Sequence, residues 1–249
     1  MADEKLTKIE WENIEIDTLD QYYNTVKKYW MSGGQNTFLS LDDDYKVIEI
    51  EENETKLSFD SIRLGDEMLD YAFNSLKNNQ NNNTYCIAVT LLDSIYHTQL
   101  KDPIRVANKI FNSKEFDIKR LLEMNKKTDI NERSNIIDII AQIDNTEGTH
   151  IYSFATKFCN WLNPNAFPIM DRYVVCLLVK YKKLSKSKLG YSSEYIYAYD
   201  EFIGGCLENK EYNYKKVDQA LWTYGKLLEE KLEKKQMKLS WESVQYKPK

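Results

Sequence analysis

The alternation of apolar and polar positions reads as helix over most of the chain. Thr18 with Gln21 has the capping-box spacing and opens an amphipathic run to about Trp30, which Gly33-Gly34 ends. Tyr45–Ile50 and Thr55–Phe59 alternate with period two across Glu51–Glu54 and predict a short β-hairpin. Asp66 to Leu76 is helical, and the asparagine-rich tract 78–83 is a loop. From Tyr85 the period stays near 3.6. Ile87, Leu91, Leu92 and Ile95 share one face, Pro103 opens a helix over Ile104–Phe111, and Phe116–Leu122 forms another. Ile136, Ile137, Ile139, Ile140 and Ile143 mark a helix central to the core. Further helices are predicted over Ile151–Leu162, Arg172 to about Tyr181, Ser193–Leu207 and Tyr214–Lys235. The fold class that follows is mainly α with a small N-terminal β-hairpin. Residues 1–84 are an N-terminal segment packed on a helical body spanning 85–249.

The stretch between two of these helices is the least ordinary. Asn163-Pro164 and Pro168 hold two of the chain's four prolines, so the backbone of this connection is stiffly prescribed. Lys157 lies on its near side and Asp171 at the start of the helix beyond it. Asp171 suits the N-cap of that helix, and the pair also suits chemistry across the turn.

Composition narrows the classes. The chain of 249 residues is 42% apolar and 29% charged, as a soluble globular protein is. No apolar run reaches the roughly 18–20 residues of a membrane span, and the N-terminus lacks a secretory pattern, so a cytoplasmic protein without a membrane partner is expected. The cysteines Cys86, Cys159, Cys176 and Cys206 lack CxxC spacing, and there are two histidines, so free thiols, no metal and no cofactor are expected. Net charge is −5 but uneven: residues 1–149 hold 17 Lys+Arg against 28 Asp+Glu, and residues 150–249 hold 17 against 11. A basic face on an acidic body is compatible with phosphate binding, and Lys180, Lys182, Lys183, Lys186 and Lys188 would supply part of it.

Ala155-Thr156-Lys157, Asn163-Pro164 and Phe167-Pro168-Ile169 before Asp171 resemble the helix-hairpin-helix superfamily of DNA glycosylases, and within it bacterial proteins with an 8-oxoguanine DNA glycosylase fold. The segments Leu92–Pro103 and Val217–Gly225 resemble further helices of that group, so the resemblance spans roughly residues 85–225. It implies a two-lobed helical body with its active site between the lobes. It also implies a DNA substrate, double- or single-stranded, whose damaged or modified base is flipped out and excised. On this resemblance Asp171 stabilises the charge developing on the sugar, and Lys157 is the candidate nucleophile. Gly148 and His150 stand at the DNA-gripping hairpin. His97, Thr98 and Gln99 stand near the flipped base, and Arg172 and Trp222 are further nucleic-acid contacts. The hairpin reads Gly148-Thr149-His150 where the family has Gly-x-Gly, and the family's lysine spacing from Asp171 would fall on Tyr152 or Ser153, about one helical turn before Lys157. A non-catalytic nucleic-acid- or protein-binding relative and a nucleoside or nucleotide N-glycosidase are the alternatives.

Overall fold

The computed structural model describes residues 7–9, 38–41, 47–50, 59–144, 150–180, 192–206, 214–234 and 237–239. Its helices are α1 (Phe59–Asn78), α2 (Asn82–Tyr96), α3 (Pro103–Phe111), α4 (Ile118–Glu123), α5 (Ile130–Gln142), α6 (Tyr152–Leu162), α7 (Arg172–Lys180), α8 (Ser192–Cys206) and α9 (Tyr214–Lys234). The protein is therefore mainly helical. Strands β1 (Thr7–Ile9), β2 (Phe38–Leu41), β3 (Val47–Ile50) and β4 (Met237–Leu239) form two two-stranded pairs. β1 runs parallel to β4, Thr7 opposite Met237, and β2 antiparallel to β3, Phe38 opposite Ile50.

Three expectations shift. The partner of Val47–Ile50 is Phe38–Leu41 and not Thr55–Phe59; Phe59 is instead the first residue of α1, and 51–58 lie outside the described residues. Helix α1 begins seven residues before Asp66 because Phe59 to Arg63 continue its turns. The asparagine tract narrows to a brief break between α1 and α2. There the Asn81 side chain accepts the Thr84 N–H at 3.1 Å while Thr84 Oγ1 accepts the Asn81 N–H at 3.2 Å, a reciprocal cap. Side-chain caps also start α3 (Asp102), α4 (Asp117) and α5 (Asp129). The predicted helix at Thr18–Trp30 and most of the basic segment before Ser193 lie outside the described residues.

Helix α6 is the centre. Every residue of it except Ser153 is buried, as befits a helix enclosed on all sides. Phe154 and Phe158 stack at 5.7 Å, Phe73 of α1 meets Phe158 at 5.6 Å and Trp161 at 5.8 Å, and Phe116 closes on Phe158 at 6.1 Å. Leu69, Ala72, Phe73 and Leu76 of α1 thus belong to the same core as Ile136, Ile137 and Ile140 of α5. Ile139 and Ile143 pack at its margin.

Polar side chains on a helix buried all round need partners, and several on α6 and at its C-cap find them in or around the proline turn. Asn160 donates to the Phe167 carbonyl at 2.7 Å, and Asn163 donates to the carbonyls of Leu121 and Met124, each at 2.8 Å. Thr156 accepts the Met170 N–H at 3.0 Å. From the other side, Arg133 of α5, 1% exposed, donates to the Ala166 carbonyl and the Tyr214 hydroxyl, both at 3.0 Å, and to Asp200 at 2.8 Å. Tyr195 donates to the Ile169 carbonyl. The turn is therefore anchored from α4, α5, α6 and α8.

Candidate functional site

Both ends of the anchored turn carry charge into one place. Lys157 sits on α6 with its side chain 5% exposed, and Asp171 sits at the N-terminus of α7 with its side chain 16% exposed; Nζ and Oδ2 are 3.8 Å apart. That distance is an ion-pair contact and exceeds a hydrogen bond. The Lys157 ammonium donates to Ser153 Oγ at 2.8 Å, one turn back on α6, and lies 5.5 Å from the centre of the Tyr96 ring. Asp171 Oδ1 accepts the Tyr173 N–H at 2.9 Å, the capping bond expected of an aspartate there. Its two oxygens divide the work: one closes the helix end, and the other faces the lysine. Capping and site chemistry are thus compatible in one side chain.

Further charged groups surround the pair. Asp218 of α9 is 5% exposed. Asp66 of α1, also buried, accepts from Gln219 at 2.7 Å and lies 3.9 Å from Lys215. Burial pushes the Asp66 carboxyl above its ordinary value, with Lys215 and Gln219 pulling the other way. Burial likewise holds the Asp218 carboxyl well above its ordinary value; the Asp171 charge adds to this, Lys157 opposes it and Asp66 adds again. Lys215 lies 3.4 Å from the centre of the Trp161 ring, so this tryptophan is both core and a cation–π partner. Carboxylates from α1, α7 and α9 thus act together on the Tyr96 hydroxyl, and Asp171 lies 3.8 Å from the Lys157 amine.

The remaining expected residues fall at varying remove. His97, exposed, ends α2 in the left-handed region (φ 48°), and Gln99, exposed, adopts φ 61°. Asp93 organises this turn, accepting the Thr98 hydroxyl at 2.6 Å and the Leu100 N–H at 3.0 Å. The turn follows directly on Tyr96, whose ring borders Lys157. Arg172 donates to Glu229 at 3.0 Å and to the Tyr173 hydroxyl at 2.7 Å. Burial raises the Glu229 carboxyl, but the Tyr173 hydroxyl, Lys226 and Arg172 together hold it below its ordinary value. Trp222, half-buried, meets Tyr173 edge-on at 6.3 Å. His150 packs 5.9 Å from Tyr152; Gly148 lies outside the described residues. Tyr152 and Ser153 also differ in use: the Tyr152 hydroxyl donates to Asp138, and Ser153 serves Lys157. Among the described residues no group of three or more His, Cys, Asp or Glu side chains is placed to hold a metal ion, and no helix is long and apolar enough to cross a membrane.

Asp66, Tyr96 and Asp218 escape a reading of the sequence. One signal was present for Asp218: Tyr214, Val217, Leu221, Tyr224 and Leu228 trace the buried stripe of α9, and Asp218 falls on it. A carboxylate on a buried stripe needs a partner or a task.

Residues 44–166 match a family model, HI_0787_N, described as an N-terminal domain. Over 150 residues the chain is 29% identical to an uncharacterized protein of Haemophilus influenzae, a match covering 57% of this chain and 74% of that protein. No solved structure matches the chain. The family match takes in Lys157 and the entry to the proline turn, and ends before Asp171 and Asp218.

Proposed function

We propose that this protein is a DNA base N-glycosylase with a two-lobed, helix-hairpin-helix glycosylase-like fold, which extrudes a damaged or modified nucleotide and cleaves its N-glycosidic bond. The observation that carries the reading is the buried Lys157 amine held 3.8 Å from the Asp171 carboxylate across a turn anchored by four helices. Breaking the bond between base and sugar leaves positive charge on the sugar, and a fixed carboxylate in a site poor in water lowers that barrier. Asp171 has this task, because its Oδ2 is free of the capping bond. Lys157, once neutral, attacks the anomeric carbon; the base leaves with the bonding electrons, and the sugar stays joined to the amine nitrogen. Flipping the nucleotide out of the stack costs a few kcal/mol, least for a mispaired or damaged base.

The test is incubation with duplex and single-stranded DNA bearing varied modified bases, scored for abasic sites and for borohydride-trapped adducts. The expected result is base release lost in Asp171→Asn and a trapped adduct lost in Lys157→Ala. Base release without an adduct would make water the nucleophile. No release from any substrate, or full activity in Asp171→Asn, would overturn the reading.

A second reading rests on the three carboxylates Asp66, Asp171 and Asp218 around the site. Such a site suits the hydroxyls of a free nucleoside better than a polyanionic backbone, and the net charge of −5 agrees. DNA affinity measured against ionic strength separates the two, since a nucleoside N-glycosidase would show almost none.

A further inference from the structure

Each member of the charged pair is tethered from its own helix. Asp171 is fixed by the capping bond that its Oδ1 accepts from the Tyr173 N–H at 2.9 Å. Lys157 carries its amine on a flexible aliphatic stem, and such an amine keeps one direction only when a partner holds it. Asp171 Oδ2 at 3.8 Å and the Tyr96 ring at 5.5 Å attract the charge, but neither contact is a hydrogen bond that sets an angle. Ser153 Oγ, one turn back on α6, accepts an N–H of Lys157 at 2.8 Å. Among the described residues it is the partner at hydrogen-bond length. Ser153 is itself placed by the proline turn. Helix α6 starts without a side-chain cap, and the Thr156 hydroxyl lies 3.1 Å from the Tyr152 carbonyl and 3.3 Å from that of Ser153. The same oxygen accepts the Met170 N–H at 3.0 Å. A run of contacts thus links Ser153 through Thr156 to Met170, the neighbour of Asp171. Ser153 is also the one residue of α6 that is only half-buried, so the edge of the site falls there.

We propose that Ser153 is a positioning residue whose hydroxyl aims the Lys157 amine at the space beside Asp171 Oδ2, where the reacting carbon must sit. The proposal rests on the reading of Lys157 as nucleophile and Asp171 as charge stabiliser. A carbon poised for attack stands about 3–3.5 Å from its nucleophile. With Nζ and Oδ2 3.8 Å apart, one position beside them meets that distance to both atoms. An amine free to swing by one rotamer step would leave that position without a nucleophile for most of the time. The serine hydroxyl accepts an N–H from the ammonium and from the free amine alike. The aim therefore holds whichever form Lys157 takes, and no proton passes between the two residues.

The tether is read first without substrate. Carbon-13 relaxation at the lysine ε positions reports how firmly the Lys157 side chain is held, its signal identified by loss in Lys157→Met. The order parameter should fall by roughly half in Ser153→Ala and return in Ser153→Thr, which keeps the hydroxyl. Alanine is the stronger helix former and the position is half-buried, so Ser153→Ala keeps the fold. With substrate, Ser153→Ala should lower kcat for base release and for the borohydride-trapped adduct by roughly tenfold or more. KM should stay within about twofold, since the interaction serves the reacting geometry and not binding. Ser153→Thr should restore most of both rates. A hydroxyl with only a structural role would shift the melting temperature and leave kcat of the folded protein alone. A Lys157 side chain equally ordered in Ser153→Ala, an unchanged kcat, or a loss that Ser153→Thr does not restore overturns the proposal. Loosening of Lys157 in Ser153→Ala without base release from any DNA would keep the tether and remove the glycosylase reading; base release indifferent to Ser153→Ala would do the reverse.

Discussion

Thr156 accepts the backbone N–H of Met170 at 3.0 Å, and in doing so sets the next residue on each strand of the turn, Lys157 and Asp171, beside one another. The same hydroxyl donates to the Tyr152 carbonyl at 3.1 Å, so it is held from both directions. The Lys157–Asp171 spacing thus depends on a neutral side chain that touches neither charge.

Thr156→Val keeps the shape and deletes the acceptor, leaving the Met170 N–H buried and unpaired. Denaturant unfolding should show a loss of about 1–3 kcal/mol. Thr156→Ser, which keeps the hydroxyl, should recover most of it.

Asp171 has two duties that substitutions can separate. Asparagine still caps a helix, so Asp171→Asn should leave stability within a few tenths of a kcal/mol while abolishing base release. Asp171→Ala loses the cap as well and should cost about 1 kcal/mol in thermal or denaturant unfolding. Equal loss of stability in both variants would contradict the division of its two oxygens.

Asp218 should leave a mark on stability against pH. Below about 3.8, the ordinary aspartate value, folded and unfolded chains both carry its proton. Above it the unfolded chain releases the proton and the folded chain, whose carboxyl is raised, keeps it. Its contribution is therefore full at low pH and is lost as pH rises through the folded midpoint. Asp218→Asn removes this slope. It should gain on the wild type with rising pH, by up to about 1.4 kcal/mol per pH unit, and lose that gain in acid. Melting curves of both proteins from about pH 3 to about pH 8 check the sign.

Gly225 lets α9 close on α7. A Cβ there would stand 2.4 Å from Tyr173 Cδ1 and 2.7 Å from its Cβ. Alanine is the better helix former by about 1 kcal/mol, yet Gly225→Ala should destabilise by about 1–3 kcal/mol, since Tyr173 is buried and its hydroxyl donates to Glu229 at 2.6 Å. Because Tyr173 N–H is the group that Asp171 caps, the same variant should also depress base release.

The helical body was legible because its signals are local. Pro103 at the first turn of α3, and the apolar spacing of Ile136, Ile137 and Ile140, depend on residues within a turn or two. The pairing of β3 with β2 was less legible. Strand period says which residues alternate and not which neighbour they meet, and an equally plausible partner stood on the other side. β1 and β4, drawn from opposite ends of the chain, had no local signal of pairing at all.

The site divides in the same way. By itself the sequence determined that a stiff turn separates Lys157 from Asp171, and that an aspartate there would cap the following helix. Proline geometry and capping are properties of the immediate backbone. Only the tertiary structure decided that the two side chains meet at 3.8 Å and that Lys157 is buried. Only it added Asp218 and Asp66 from helices distant in the chain. Whether a charge is paired, buried or free is set by what packs against it, and that is a property of the whole fold.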